Sequence, residues 1–125
     1  MFIFGSEAEL LFYARRVSAT PYIFLFPLYG PYRNVQEKQI AAASEIVRNR
    51  PAAVVWLPNQ LFFQPGTEQT FTLWAKSYVR KDFRLDACLF VGRNETSAMV
   101  PAVAGQEPSV PGKQILAATY VKTEP

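Results

Sequence analysis

The chain has 125 residues, half of them apolar, enough for one domain with a single buried core. Thirteen lysines and arginines against ten acids leave a formal charge of +3, a mild bias toward anionic partners that an ordinary solvated surface would also show. Histidine is absent, which excludes Ser-His-Asp and Cys-His hydrolytic centres and removes the commonest zinc ligand; a lone cysteine, Cys88, excludes an intrachain disulfide.

In chain order, Phe2, Ile3 and Phe4 form an apolar run stopped by Gly5 and read as a short buried strand at the very start. Ser6 followed by Glu9 has the capping-box pattern, so a helix is expected over residues 7–16, with acids in its first turn and Arg15 and Arg16 in its last. Residues 18–21 break it, because Pro21 disfavours helical geometry before it. Residues 22–26 are apolar throughout and are expected to be a second strand, covered on both faces as in a parallel sheet. Pro27 stops that run, and "PLYGPYRN" reads as a loop leading to a helix over residues 35–49. Ile40, Ala43 and Val47, with Ala42 and Ile46 beside them, line one face of that helix.

Residues 52–57 give a third strand, and after a long connection Thr67 or Thr70 would cap a third helix carrying Phe71, Trp74, Ala75, Tyr78 and Val79 at helical spacing. Residues 84–92 give a fourth strand, in which Cys88 reads as a packed, inert thiol. Beyond it, "TSAMVPAVAG" has room for a short strand and residues 114–121 read as a last one. The expectation is a single α/β domain over residues 1–125, with a clear βαβαβαβ core in residues 1–93 and less regular strands and proline-rich loops in residues 94–125. Its fold class is a three-layer, Rossmann-like open sheet, mostly parallel, with helices on both faces and antiparallel strands admitted at the C-terminal end.

Chemistry is sparse. The turn Gly5-Ser6-Glu7 lacks the dinucleotide spacing and places acids where a pyrophosphate would lie. Glu7 with Glu9, and Asp82 with Asp86 and Glu95, are the carboxylate groupings available for acid-base work, but their positions at helix ends and turns explain them equally well. The candidate contact surface is the set Gly5, Ser6, Tyr29, Tyr32, Arg33 and Asn59, which follow strands at the edge where open sheets bind ligands. No catalytic residue, metal ligand or cofactor is assigned. Nucleic acid is not expected, because no long basic block appears. No window is long enough for a membrane span, and no signal-peptide pattern opens the chain.

"FIFGSEAELLFYARRVSATPYIFLFPL", "RNRPAAVVWL" and "TFTLWAKSYVRKDFRLDACLFVGR" together resemble the soluble C-terminal portion of bacterial polytopic glycosyltransferases related to the dolichyl-phosphate-mannose protein mannosyltransferases. The resemblance covers residues 2–93 and contains no invariant catalytic signature. It implies a domain cut from a longer inner-membrane protein, lying on the periplasmic or extracytoplasmic side of the membrane portion of the same chain. It also implies that the parent uses a polyprenyl-phosphate-linked sugar donor. This piece would then support acceptor binding or assembly without carrying the catalytic acid. The alternative is a free-standing α/β module for a small molecule or nucleotide, suggested by the helix start behind Gly5 and the mild positive charge.

Overall fold

The computed structural model describes residues 1–58, 69–92 and 96–123. In chain order they form β1 (Phe2–Phe4), α1 (Glu9–Tyr13), a 3-10 turn (Phe26–Leu28), α2 (Val35–Asn49), β2 (Ala53–Trp56), α3 (Thr70–Asp82), β3 (Phe83–Gly92), β4 (Ser97–Pro101) and β5 (Lys113–Lys122). The strands make one sheet in the order β1-β2-β5-β3-β4. Only β1 and β2 pair in parallel; β2 with β5, β5 with β3, and β3 with β4 are antiparallel. This corrects the expectation of a mostly parallel, three-layer Rossmann-like sheet. The last strand inserts between β2 and β3, so the crossover from β2 through α3 to β3 leaves a gap that β5 fills from the opposite direction.

The second correction concerns residues 22–26, which form no strand. β1 pairs directly with β2 and leaves no position for a strand between them. The stretch turns on local bonds instead: the Thr20 N–H donates to Ser18 Oγ at 3.3 Å, the Tyr22 N–H to Thr20 Oγ1 at 3.4 Å, and the Ile23 N–H to the Pro21 carbonyl at 3.0 Å. Pro27 then sits in the first turn of the 3-10 segment, where its missing N–H costs nothing. Leu25, Leu28 and Tyr29 are buried while Ile23, Phe24 and Phe26 are exposed, the spacing of turns rather than the alternation of a strand.

Side chains from the two long helices complete this irregular crossover. Gln39 Nε2 donates to the Leu28 carbonyl at 2.7 Å, Asn49 Nδ2 donates to the Ala19 carbonyl at 2.9 Å, and the Tyr29 hydroxyl shares a 2.8 Å hydrogen bond with Thr72. The carbonyls of Ala19 and Leu28, which lie outside the sheet, thereby find partners.

The helix α1 is shorter than expected. Its N-cap residue is Ala8 with no side-chain cap bond, so the Ser6–Glu9 box does not form. Its C-terminus is a Schellman turn: the Arg15 N–H donates to the Phe12 carbonyl at 3.1 Å and the Arg16 N–H to the Leu11 carbonyl at 2.9 Å. Arg15 takes the left-handed position, at φ 51°, that glycine usually occupies.

The core lies mainly between the sheet and the α2–α3 layer. Phe2, Phe4, Val54 and the partly buried Trp56 and Tyr120 project from the strands toward Ala42, Ile46, Phe71, Ala75 and Val79. Phe4 and Trp56, paired across β1 and β2, stack with ring centroids 3.9 Å apart, and Phe71 stands edge-on to Phe2 at 6.4 Å and stacks near Phe4 at 6.2 Å. The opposite face of β1 and β2 buries Ile3, Val55 and Leu57 against Leu10 and Leu11 of α1. Further along the sheet, Leu85, Cys88, Phe90 and Ala118 form a smaller cluster under Val100, Ala102 and Val110.

Replacement of Phe71 by alanine removes the ring that joins the two layers and is expected to lower stability by about 3–5 kcal/mol, read as a drop in the urea midpoint. A midpoint unchanged within error would contradict this packing.

Candidate functional site

The six sequence-derived contact residues divide between interior and surface. Gly5 is buried where β1 ends, and a methyl group there would collide with the Leu57 side chain, so its role is close approach of the two strand ends. Ser6 is half-buried beside it. Tyr29 is only 2% exposed and packs against Phe4 and Phe71, with burial pushing its hydroxyl far above the ordinary tyrosine range. Tyr32 and Arg33 stand exposed ahead of α2, and Lys38 Nζ lies 5.8 Å from the Tyr32 ring centroid, a cation–π contact. Asn59 lies outside the described residues, as do Thr67 and Glu95.

Among the carboxylates, Glu7 and Glu9 come together at the start of α1. Burial, and then hydrogen bonding and charge repulsion from Glu9, push the Glu7 carboxyl above its ordinary value of 4.5. Asp82 ends α3, where its carbonyl accepts from both the N–H and the hydroxyl of Thr123 at 3.0 Å. Asp86 is exposed on β3. Among the described residues, no group of three metal-ligating side chains converges. Cys88 is fully buried, and burial, with a contribution from Glu107, holds its thiol in the neutral form.

Two concavities were not anticipated. The first is an apolar groove of about 520 Å³ along α2 and α3, with Ile40, Ala43 and Val47 on one wall, Trp74 on the other and Phe71 in its lining. Gln36, Gln39, Ser44 and Thr70 supply its polar points. Ile40 is 67% exposed and Val47 is 50% exposed, whereas Gln39, Ala42 and Ile46 face the core. The sequence spacing grouped Ile40, Ala43 and Val47 with Ala42 and Ile46 on one face, which the structure divides between groove and core. Helical periodicity reveals a broad apolar stripe on α2, but cannot say that the sheet covers only one side of it.

The second concavity, about 470 Å³, lies where α3 meets β3 and β5, and its lining includes Trp56, Tyr120, Lys76, Arg80, Arg84 and Glu107. Three cations against one carboxylate make it a positively charged cleft with aromatic walls. Burial raises the Tyr120 hydroxyl above its ordinary range, and nearby Arg80 opposes that shift. Sequence reading missed this cleft because its residues come from strands and a helix that meet only once β5 enters the sheet.

No protein-family description, curated protein or solved structure matches the chain. Among the described residues, no helix is long and apolar enough to cross a membrane.

Two outcomes test this geometry. Tyr29→Phe leaves the Thr72 hydroxyl without its buried partner and is expected to cost about 1–3 kcal/mol in thermal or urea unfolding, where an exposed tyrosine would cost nothing measurable. For Glu7, the folded chain holds its proton to higher pH than the unfolded chain does. Its contribution therefore favours folding at low pH and is lost as pH rises from 4.5 through the folded-state value. In an NMR titration the Glu7 midpoint should lie above 4.5 and move down toward it in Glu9→Gln; an identical midpoint in both proteins would remove Glu9 as a cause.

Proposed function

We propose that the chain is a noncatalytic accessory domain of a membrane-embedded glycosyltransferase that uses a polyprenyl-phosphate-linked sugar. In this reading the domain lies on the extracytoplasmic side of the bacterial inner membrane and packs against the membrane portion of the same polypeptide, supporting acceptor binding or assembly. The resemblance of residues 2–93 supplies the family; the observation that carries the role is the uncovered α2–α3 groove. Burying a side chain the size of Ile40 or Val47 is worth about 1.5–3 kcal/mol, so a helix of a partner segment laid into this groove recovers stabilisation that the domain alone leaves unrealised. Trp74 provides a rigid aromatic wall for such contacts, backed by the buried Phe71 stacked against it.

A second reading, a small-molecule-binding module, is favoured by the cationic cleft around Trp56 and Tyr120. Its three basic side chains suit an anionic group, and its two aromatic walls suit a sugar or base face.

An antibody raised against this domain tests the first reading in the source cells. It should detect a polypeptide far heavier than 14.1 kDa in the membrane fraction. A band near 14.1 kDa confined to the soluble fraction would exclude it and favour the second reading. Addition of sugar phosphates to the purified chain would then be expected to change Trp fluorescence in wild type and much less in Arg84→Ala.

A further inference from the structure

The turn that follows α1 presents a feature that neither concavity explains. Phe12, Tyr13 and Val17 are 80%, 77% and 86% exposed, so these large apolar side chains project almost fully from the protein. The Phe12 and Tyr13 rings meet edge-on at 5.6 Å, and Arg15 and Arg16, both exposed, stand between them and Val17 in the chain. Val17 and Leu11 line a shallow depression with Arg48 of α2, which adds a third cation; Glu45, also in its lining, accepts a 3.4 Å hydrogen bond from Thr20.

The backbone fixes where Arg15 stands. It occupies the left-handed C-terminal position of the Schellman turn, where a β-carbon is strained and glycine is favoured. Arg50 takes the same conformation behind α2, and here the turn sets the exposed Arg15 two residues after Tyr13 in the chain.

We infer that the α1 turn is a docking surface for an anionic phospholipid bilayer, with Phe12, Tyr13 and Val17 entering the headgroup–acyl boundary and Arg15, Arg16 and Arg48 meeting the lipid phosphates. A fluid bilayer closes around projecting rings, and an aromatic-arginine mixture matches its polar-apolar boundary. Charge complementarity supplies the preference for anionic lipid. This inference goes beyond the glycosyltransferase reading and does not require it.

Cosedimentation of the 125-residue chain with vesicles of phosphatidylcholine, with and without phosphatidylglycerol, tests it. Each arginine at an anionic surface contributes roughly fivefold in affinity, so Arg15, Arg16 and Arg48 together should favour the anionic vesicles by about 125-fold at low salt. Arg15→Gly relieves the turn, so it should raise the melting temperature while weakening anionic-vesicle binding about fivefold. The double variant Phe12→Ser, Tyr13→Ser changes only exposed side chains and should fold normally but lose vesicle binding. Wild type that ignores anionic vesicles, Arg15→Gly that binds them as tightly as wild type, or a double variant that still binds would each overturn the assignment. So would a photo-crosslinker at position 12 that captures a polypeptide instead of lipid in native membranes. The vesicles contain no other protein, so failure here leaves the antibody result, and the reading it tests, untouched.

Discussion

Phe71 is the contact on which the rest of the structure depends. It reaches from α3 to the rings of Phe2, Phe4, Tyr29 and Trp74 at centroid distances of 5.3–6.4 Å, so one side chain joins the parallel strand pair, the irregular crossover and the second long helix. Dense aromatic packing of this kind tolerates little displacement. It fixes Tyr29 under Thr72, which in turn holds the end of the crossover, while Gln39 and Asn49 hold its middle and beginning from α2. A connection of this length stays ordered because two of its backbone carbonyls find donors on α2 and its Tyr29 hydroxyl finds a partner on α3, although it has no ladder of its own.

That arrangement also determines what remains outside. The sheet can cover only one side of α2, so Gln39, Ala42 and Ile46 turn inward and Ile40 and Val47 are left facing solvent across from Trp74. At the C-terminal end of the same helix, Arg48 turns toward Val17 and the α1 turn. The apolar groove and the aromatic-arginine edge are thus neighbours along one helix, placed by the same core. On the proposed function, the groove takes a segment of the membrane portion while the edge rests on the surrounding lipid. Both contacts would hold the domain in one orientation.

Local signals were legible where a segment's own chemistry decided its form. The helix over residues 35–49 and the strand of "AVVW" end at the prolines and polar residues that bound them in the sequence. The aromatic stripe of α3 sits in the core as its spacing requires. What could not be read was decided at a distance. Residues 22–26 look like a buried strand because every side chain is apolar, yet no sheet position was open to them. The place of β5 depended on which strand edge was free after the chain had passed through β3 and β4, and small residues suited it to a central position: Ala118 pairs opposite both Trp56 and Cys88. Of the candidate contact residues, Tyr32 and Arg33 reach the surface, whereas Tyr29 differs from Tyr32 by no local signal and was claimed by the core. Arg15 was visible only as a favourable charge at a helix end; its left-handed conformation appears once the turn is built.

Hydroxyl-radical footprinting, applied to the isolated chain and to the protein in its native membranes, addresses the central claim directly. If a rigid aromatic frame leaves a defined apolar set outside it for partners to cover, Phe12, Tyr13, Ile40 and Val47 will be oxidised strongly in isolation and protected in the membrane, while Phe71 and Tyr29 stay unmodified in both. Equal labelling of the four exposed residues in the two settings, or strong oxidation of Phe71 in either, would contradict it.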